Sequence, residues 1–321
     1  MDRAAALGEA ARGTTAPNPA VGCVIVKDGR IVGEGATAPG GRPHAEAVAL
    51  AQAGDAARGA TLFTTLEPCA HPSERGPTCA HLIVESGIGA VVVACEDPDP
   101  RTAGEGAAIL RAGGVHVSTL AHAGAAESLS GYFHRVAHGR PRITLKLALS
   151  IDGKIALPSG ESKWITAADA RAHVHRLRAA SDMILVGRGT YEADDPRLDV
   201  RLPGLEDRSP ERLLLSRTAE PLPGWRILRA PEEVHGLPAN DLLVEGGSGA
   251  ASAFLTADLV DRLLIYRAPI LVGEGRSSLG TIGLHRLADA HGRWRWAGGE
   301  ALGIDRLEVY ERTRTDDNEA A

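Results

Sequence analysis

Short apolar runs alternate with stretches of helical period along this chain, and the pattern runs through once and then starts again. Residues 1–13 are Ala-rich and predict a helix. A Pro-Asn-Pro turn at 17–19 leads into an apolar strand at 21–26. Lys27-Asp-Gly-Arg30 reads as a hairpin turn, with 31–35 as the returning strand. Helices are expected over 44–53, 79–86 and 104–112, and strands over 60–65, 90–94 and 115–120. This alternation predicts a three-layer α/β domain.

The pattern restarts near residue 140, where His138-Gly-Arg-Pro141 reads as a linker. Strands are expected at 143–149, 183–186, 212–215, 241–244 and 262–268, with helices at 167–179 and 251–256. The chain has 321 residues, more than one typical core needs. Two α/β domains follow as the expectation, 1–140 and 141–321.

Composition narrows the function. Hydrophobic residues make up 44% and charged residues 24%, an ordinary globular balance. The net charge of −6 argues against a nucleic-acid partner, and 3% aromatics leave few platforms for stacked bases. No apolar run reaches signal-peptide or membrane-span length, so the expected location is the cytoplasm, away from membranes. Four cysteines make no disulfide framework. They serve packing or a metal, and Cys23 and Cys95, inside apolar strands, read as packing.

The remaining two carry chemistry. His44 opens one predicted helix, Cys69 follows a strand, and Cys79 opens the next helix. One imidazole and two thiolates suit tetrahedral Zn2+ and leave a fourth position for water. Glu46, two residues after His44, is placed to shuttle protons without binding the ion. His-x-Glu followed by Pro-Cys and a further Cys is the zinc deaminase signature. Nine residues separate the cysteines here, where two are usual.

Longer segments carry a resemblance. Pro17-Asn-Pro-Ala-Val-Gly-Cys-Val-Ile-Val26, Pro43-His-Ala-Glu46 and Thr65-Leu-Glu-Pro-Cys69 resemble the deaminase half of the bifunctional riboflavin-biosynthesis deaminase/reductase family. Leu145-Lys-Leu-Ala-Leu-Ser-Ile-Asp-Gly-Lys154, Ser159-Gly-Glu-Ser-Lys-Trp-Ile-Thr166, Ala193-Asp-Asp-Pro196 and Val244-Glu-Gly-Gly247 resemble its reductase. The resemblance implies a cytidine-deaminase-like α/β/α domain followed by a dihydrofolate-reductase-like α/β domain. It also implies deamination of a small phosphorylated pyrimidine, reduction by NADPH, and a homo-oligomer. By carry-over His44, Cys69 and Cys79 bind zinc, Glu46 is catalytic, and Asn18 and His71 contact the pyrimidine. Loop 70–78 departs from the family pattern, with Arg75 standing in for a basic residue that meets phosphate.

For the second half the residues alone say less. The glycine loop 244–250 runs into a helix whose first N–H groups suit a phosphate. Gly187-Arg-Gly-Thr190 reads as a second loop at a strand's C-terminal end, the edge where open sheets bind ligands. The resemblance assigns Ala148, Trp164, Thr190, Asp194, Ser216, Gly247, Ser248, Gly249, Ala250, Ala251, Ser252 and Ala253 to NADPH. It assigns Ser162, Arg178, Leu198, Arg201 and Glu245 to the substrate, with Arg178 and Arg201 suited to its phosphate. Lys146 and Asp152 lie on the motif as ordering residues, and Arg217 is a candidate for the cofactor's 2′-phosphate. Only 43 residues separate Arg201 from Glu245, about half the family's usual length, so a strand and a helix are expected to be missing. The main alternative is an active deaminase with a non-catalytic reductase-like domain. A nucleoside or tRNA deaminase and a zinc-stabilised scaffold are the others.

Overall fold

The computed structural model describes residues 1–71 and 76–314. Arg75 lies outside the described residues. By its contacts the chain divides into two compact units, Met1–Arg140 with Pro238–Asn240, and Pro141–Leu237 with Asp241 onward.

The first unit runs α1 (Asp2–Ala11), β1 (Gly22–Lys27), β2 (Arg30–Ala36), α2 (Ala45–Ala53), β3 (Thr61–Leu66), α3 (Cys79–Glu85), β4 (Ala90–Cys95), α4 (Glu105–Ala112), β5 (His116–Thr119) and α5 (Ala123–His138). Its sheet has the order β2-β1-β3-β4-β5. β1 is antiparallel to both neighbours, whereas β3, β4 and β5 are parallel. α1 and α5 pack together on one face, and α2 lies over β1 and β2 on the other. Gly33 and Gly35 on β2 let α2 come close, since a Cβ at either would collide with the carbonyls of Ala49 or Ala45. The buried side chains of Cys23, Ile25, Leu62, Ile83, Val91 and Leu129 form one core. Cys23 packs there as expected, and burial pushes its thiol up.

α5 goes beyond the sequence expectation, although Leu129, Tyr132, Phe133 and Val136 do repeat at helical spacing. Its face closes the core with Tyr132, whose hydroxyl donates to the buried Asp97 at 2.9 Å.

The second unit contains β6 (Arg142–Leu149), β7 (Lys154–Ala156), α6 (Ala168–Ala179), β8 (Met183–Gly187), α7 (Arg188–Asp194), β9 (Glu211–Leu215), β10 (Arg226–Leu228), β11 (Asp241–Val244), α8 (Ser248–Thr256), β12 (Arg262–Arg267), β13 (Arg276–Ser277), β14 (Trp294–Leu302) and β15 (Asp305–Arg312). The main sheet has the order β10-β9-β8-β11-β6-β12-β15-β14, and β13 pairs with β7. Strands from β10 to β12 are parallel, and the C-terminal hairpin adds antiparallel. β8 and β11 are buried almost throughout, which is why they read as unbroken apolar runs.

Three readings change. Residues 188–194 form a helix, α7, where the sequence suggested a loop. α8 begins at Ser248, three residues earlier than expected. The β14–β15 hairpin was not foreseen. Parallel crossovers usually carry an α-helix. Among the described residues, neither β9 to β10 nor β10 to β11 has one, only the single turn Pro231–Val234.

Candidate functional site

In the first unit three chain segments meet at one point. His44 is the N-cap of α2 and Cys79 the first residue of α3, whose own N-cap Thr78 accepts from the His81 N–H at 3.3 Å. Cys69 leaves the loop after β3, and its sulfur accepts the Cys79 N–H at 3.3 Å. The donor atoms of His44, Cys69 and Cys79 all lie within 4.8 Å of one another. His44 Nδ1 stands 3.5 Å from Cys69 Sγ and 3.4 Å from Cys79 Sγ. Tetrahedral zinc with ordinary Zn–N and Zn–S bonds separates nitrogen from sulfur by about 3.6 Å. The residues fit the ion.

Their protonation also fits. Cys79 donates to Cys69, which with His44 nearby pulls the Cys69 thiol down to about 4 and pushes Cys79 up. Two sulfurs competing for one proton are a site prepared for a cation, helped by the positive ends of two helices. The hydrogen bond to Cys69 raises His44. Glu46, 3% exposed, is raised to about 7 by burial and then by the Cys69 charge. A carboxyl poised there exchanges protons readily near neutral pH.

Asn18 lies in the turn after α1. Its Nδ2 donates to Gly41 O at 2.8 Å, which leaves Oδ1 as a free acceptor among the described residues. Gly41 has φ +86°, and a Cβ there would collide with the Asn18 carboxamide. His71 Nδ1 lies 3.3 Å from Thr102 Oγ1. The sequence reading missed Glu67 of the Leu-Glu-Pro-Cys segment. It is buried and accepts N–H groups from Gly104 at 3.0 Å and Ala107 at 2.9 Å, capping α4 and fixing the loop that carries Thr102. A carboxylate next to Pro-Cys, with no partner nearby in sequence, was the available signal.

The second unit holds a cleft of about 1140 Å³ at the C-terminal ends of β6, β8, β9 and β11. Small-molecule pockets run roughly 300–1,000 Å³, so this one stands just above the upper end of that range. Ala148, Trp164, Thr190, Asp194, Ser216, Gly247, Ser248, Gly249, Ala250 and Ala253 line it, as do Ser162, Arg178, Leu198, Arg201, Glu245 and Arg217. Ala251 and Ser252 do not. Ala251 is fully buried, and Ser252 accepts the Gly280 N–H at 2.8 Å.

The floor is charged. Glu245 accepts Arg178 Nε at 2.7 Å and Nη2 at 3.0 Å, and Lys146 Nζ stands 3.8 Å from it. Burial pushes the Glu245 carboxyl up, but the charges of Arg178 and Lys146 outweigh it and hold it below the usual range. Burial lowers Lys146 against the pull of Glu245. Arg178 Nη1 donates to Asp199 O at 3.0 Å. The guanidinium fork that the sequence suggested for a phosphate is therefore already engaged. The exposed Arg201 is held more loosely, its Nε 3.5 Å from Asp199 Oδ1, and its backbone N–H donates to His175 Nδ1 at 3.2 Å. Asp152 stays at a loop, accepting from Gly273 N at 2.7 Å.

The glycine loop is shaped for a close ligand. Gly247 N donates to Thr190 Oγ1 at 2.9 Å, and a Cβ at Gly246 would press on Ala250 at the start of α8. The start of α8 lines the cleft together with Arg188, which hydrogen-bonds Thr218. Trp164, 66% exposed, stands at the cleft with Arg171 over its ring at 4.8 Å. This combination of glycine loop, helix start, basic side chains and exposed aromatic fits a dinucleotide phosphate. No helix among the described residues is long and apolar enough to cross a membrane.

Comparison with known proteins matches both halves of the chain. Residues 1–95 match the cytidine and deoxycytidylate deaminase zinc-binding region, and residues 141–303 match the RibD C-terminal domain. The riboflavin biosynthesis protein RibD of Haemophilus influenzae is 38% identical over 358 aligned positions, covering 97% of this chain and 96% of its own. That alignment is longer than this chain, so the relative carries residues missing here. The Acinetobacter baumannii RibD structure superposes with TM-score 0.86 at 34% identity, covering 98% of both chains. A diaminohydroxyphosphoribosylaminopyrimidine deaminase/5-amino-6-(5-phosphoribosylamino)uracil reductase from Thermotoga maritima gives 0.86 at 32%, covering 98% of this chain and 97% of its own. With both domains matched in order and relatives aligned end to end, the chain belongs to the RibD family of riboflavin-biosynthesis enzymes, which use Zn2+ and NADPH.

Proposed function

We propose that residues 1–140 remove the amino group of 2,5-diamino-6-ribosylamino-4(3H)-pyrimidinone 5′-phosphate by hydrolysis, and that residues 141–321 then reduce the ribosyl group to ribityl. The observation that carries this reading is the convergence of His44, Cys69 and Cys79 with buried Glu46 beside them.

His44, Cys69 and Cys79 would hold zinc, which would supply a Lewis acid able to activate water near neutral pH. Glu46 takes a proton from the attacking water at its carboxylate and returns it to the departing amino nitrogen. Asn18 Oδ1 accepts from an N–H of the pyrimidine, and His71 closes the same pocket from loop 70–78.

NADPH bound in the second unit would supply the hydride for the sugar carbon, with a proton from solvent completing the two-electron reduction. Gly247, Ser248, Gly249, Ala250 and Ala253 hold its phosphates, with Ala148, Trp164, Thr190, Asp194 and Ser216 along the rest. Arg217 meets the 2′-phosphate. Glu245, held as a carboxylate by Arg178 and Lys146, binds the sugar hydroxyls with Ser162 and Leu198. Arg201 takes the substrate phosphate. We assign the enzyme to the cytoplasm, where thiol donors stay reduced, and expect like chains to associate.

A coupled assay tests the reading: one sample should release ammonia and oxidise NADPH in equal amounts. Ammonia without NADPH oxidation would leave an active deaminase with an inert second domain.

A further inference from the structure

The first unit is not continuous in sequence, because Pro238–Asn240 belongs to it although it lies far beyond Arg140. Asn240 is 5% exposed and sits against the turn that carries Asn18. Its Nδ2 donates to Asn18 O at 2.9 Å, and its Oδ1 accepts Arg135 Nε at 2.8 Å. The guanidinium fixes which way round the Asn240 carboxamide stands, since only the oxygen can face it. The same arginine donates Nη2 to Pro17 O at 2.6 Å. Two consecutive carbonyls of the turn, Pro17 and Asn18, are thereby held by one Arg–Asn pair from outside it. From inside the turn, Thr15 Oγ1 donates to Asn18 O at 3.0 Å. The Asn18 side chain hangs between this clamp and Gly41 O.

We propose that Asn240 is a positioning residue of the deaminase, supplied by the reductase half of the sequence, which holds the Asn18 turn so that Oδ1 meets the pyrimidine. The proposal rests on the reading of Asn18 as a substrate contact. Without Asn240 the Asn18 carbonyl keeps, among the described residues, only the hydroxyl of its own turn, and the turn gains freedom to shift. Displacements well under 1 Å weaken an oriented hydrogen bond. That contact is made by bound substrate and transition state alike, so its loss raises KM more than it lowers kcat.

The test uses the full chain and deaminase kinetics by ammonia release. Asn240→Ala should raise the deaminase KM about tenfold, change kcat less than about threefold, and keep stoichiometric zinc. Asn240→Asp has nearly the same shape and still accepts from Arg135, but it cannot donate to Asn18 O; it should raise KM at least as much. Asn18→Ala should raise KM too, and adding Asn240→Ala to it should cost little more, because the second residue acts through the first. A wild-type KM in both Asn240 variants would overturn the proposal. So would an effect that adds fully to that of Asn18→Ala, or one that appears as zinc loss or a fall in kcat alone. An unchanged KM in Asn18→Ala would instead overturn the substrate-contact reading, and the proposal with it.

Discussion

The two units solve recognition in opposite ways. The first gathers its chemistry at a point, where three donor atoms within 4.8 Å and one buried carboxylate are fixed by two helix starts and one loop. The second spreads it along a cleft of about 1140 Å³, where backbone, glycines and a charged floor share the work. A point site fails outright when one donor is lost. A distributed site degrades by degrees.

The contrast can be broken most sharply at Glu46. Glu46→Ala should lower ammonia release by about 10²–10⁴-fold, keep zinc, and leave NADPH oxidation unchanged when deaminated substrate is supplied. Parallel loss in the second assay would show that the units do not work independently.

A smaller effect is expected at the floor of the cleft. Glu245→Gln removes one partner of a buried charge cluster and should destabilise the second unit by about 3–5 kcal/mol, read as an earlier melting transition. The pH dependence follows from the direction of the shift. The folded Glu245 carboxyl lies below its ordinary value, so its contribution is fully present above about pH 4.3, the unfolded value, and is lost as pH falls through the folded one. Melting curves of wild type and Glu245→Gln should therefore converge on acidification. A constant gap down to pH 3 would contradict the cluster's role.

The smallest effect belongs to Arg217 at the cleft. Arg217→Ala should reduce the preference for NADPH over NADH about tenfold, with binding of 2′,5′-ADP weakened and of 5′-AMP unchanged. An unchanged ratio would move the 2′-phosphate to Arg188 or Arg229, which line the same cleft.

The same contrast explains what the sequence discloses. Metal chemistry dictates residue identity, so His44, Glu46, Cys69 and Cys79 stand out even across a nine-residue gap between the cysteines. Central strands such as β8 and β11 are legible because both their faces are buried. α5 was hidden by Gly131 and three serine or glycine neighbours of low helix propensity; burial of Leu129 and Tyr132 stabilises it instead. β14 carries Gly298, Gly299 and an exposed Trp296, so its alternation is lost. The engagement of Arg178 by Glu245, 67 residues away, and of Asn18 by Asn240, 222 away, leaves no local trace at all. Such pairs exist only once the chain has folded.

The most direct measurement is zinc content combined with X-ray absorption at the zinc edge of the purified protein. One zinc per chain, bound by two sulfurs at about 2.3 Å and one nitrogen at about 2.0 Å with a light atom completing the shell, is the predicted result. Zinc-free protein that still releases ammonia, or a shell without both sulfurs, would contradict it.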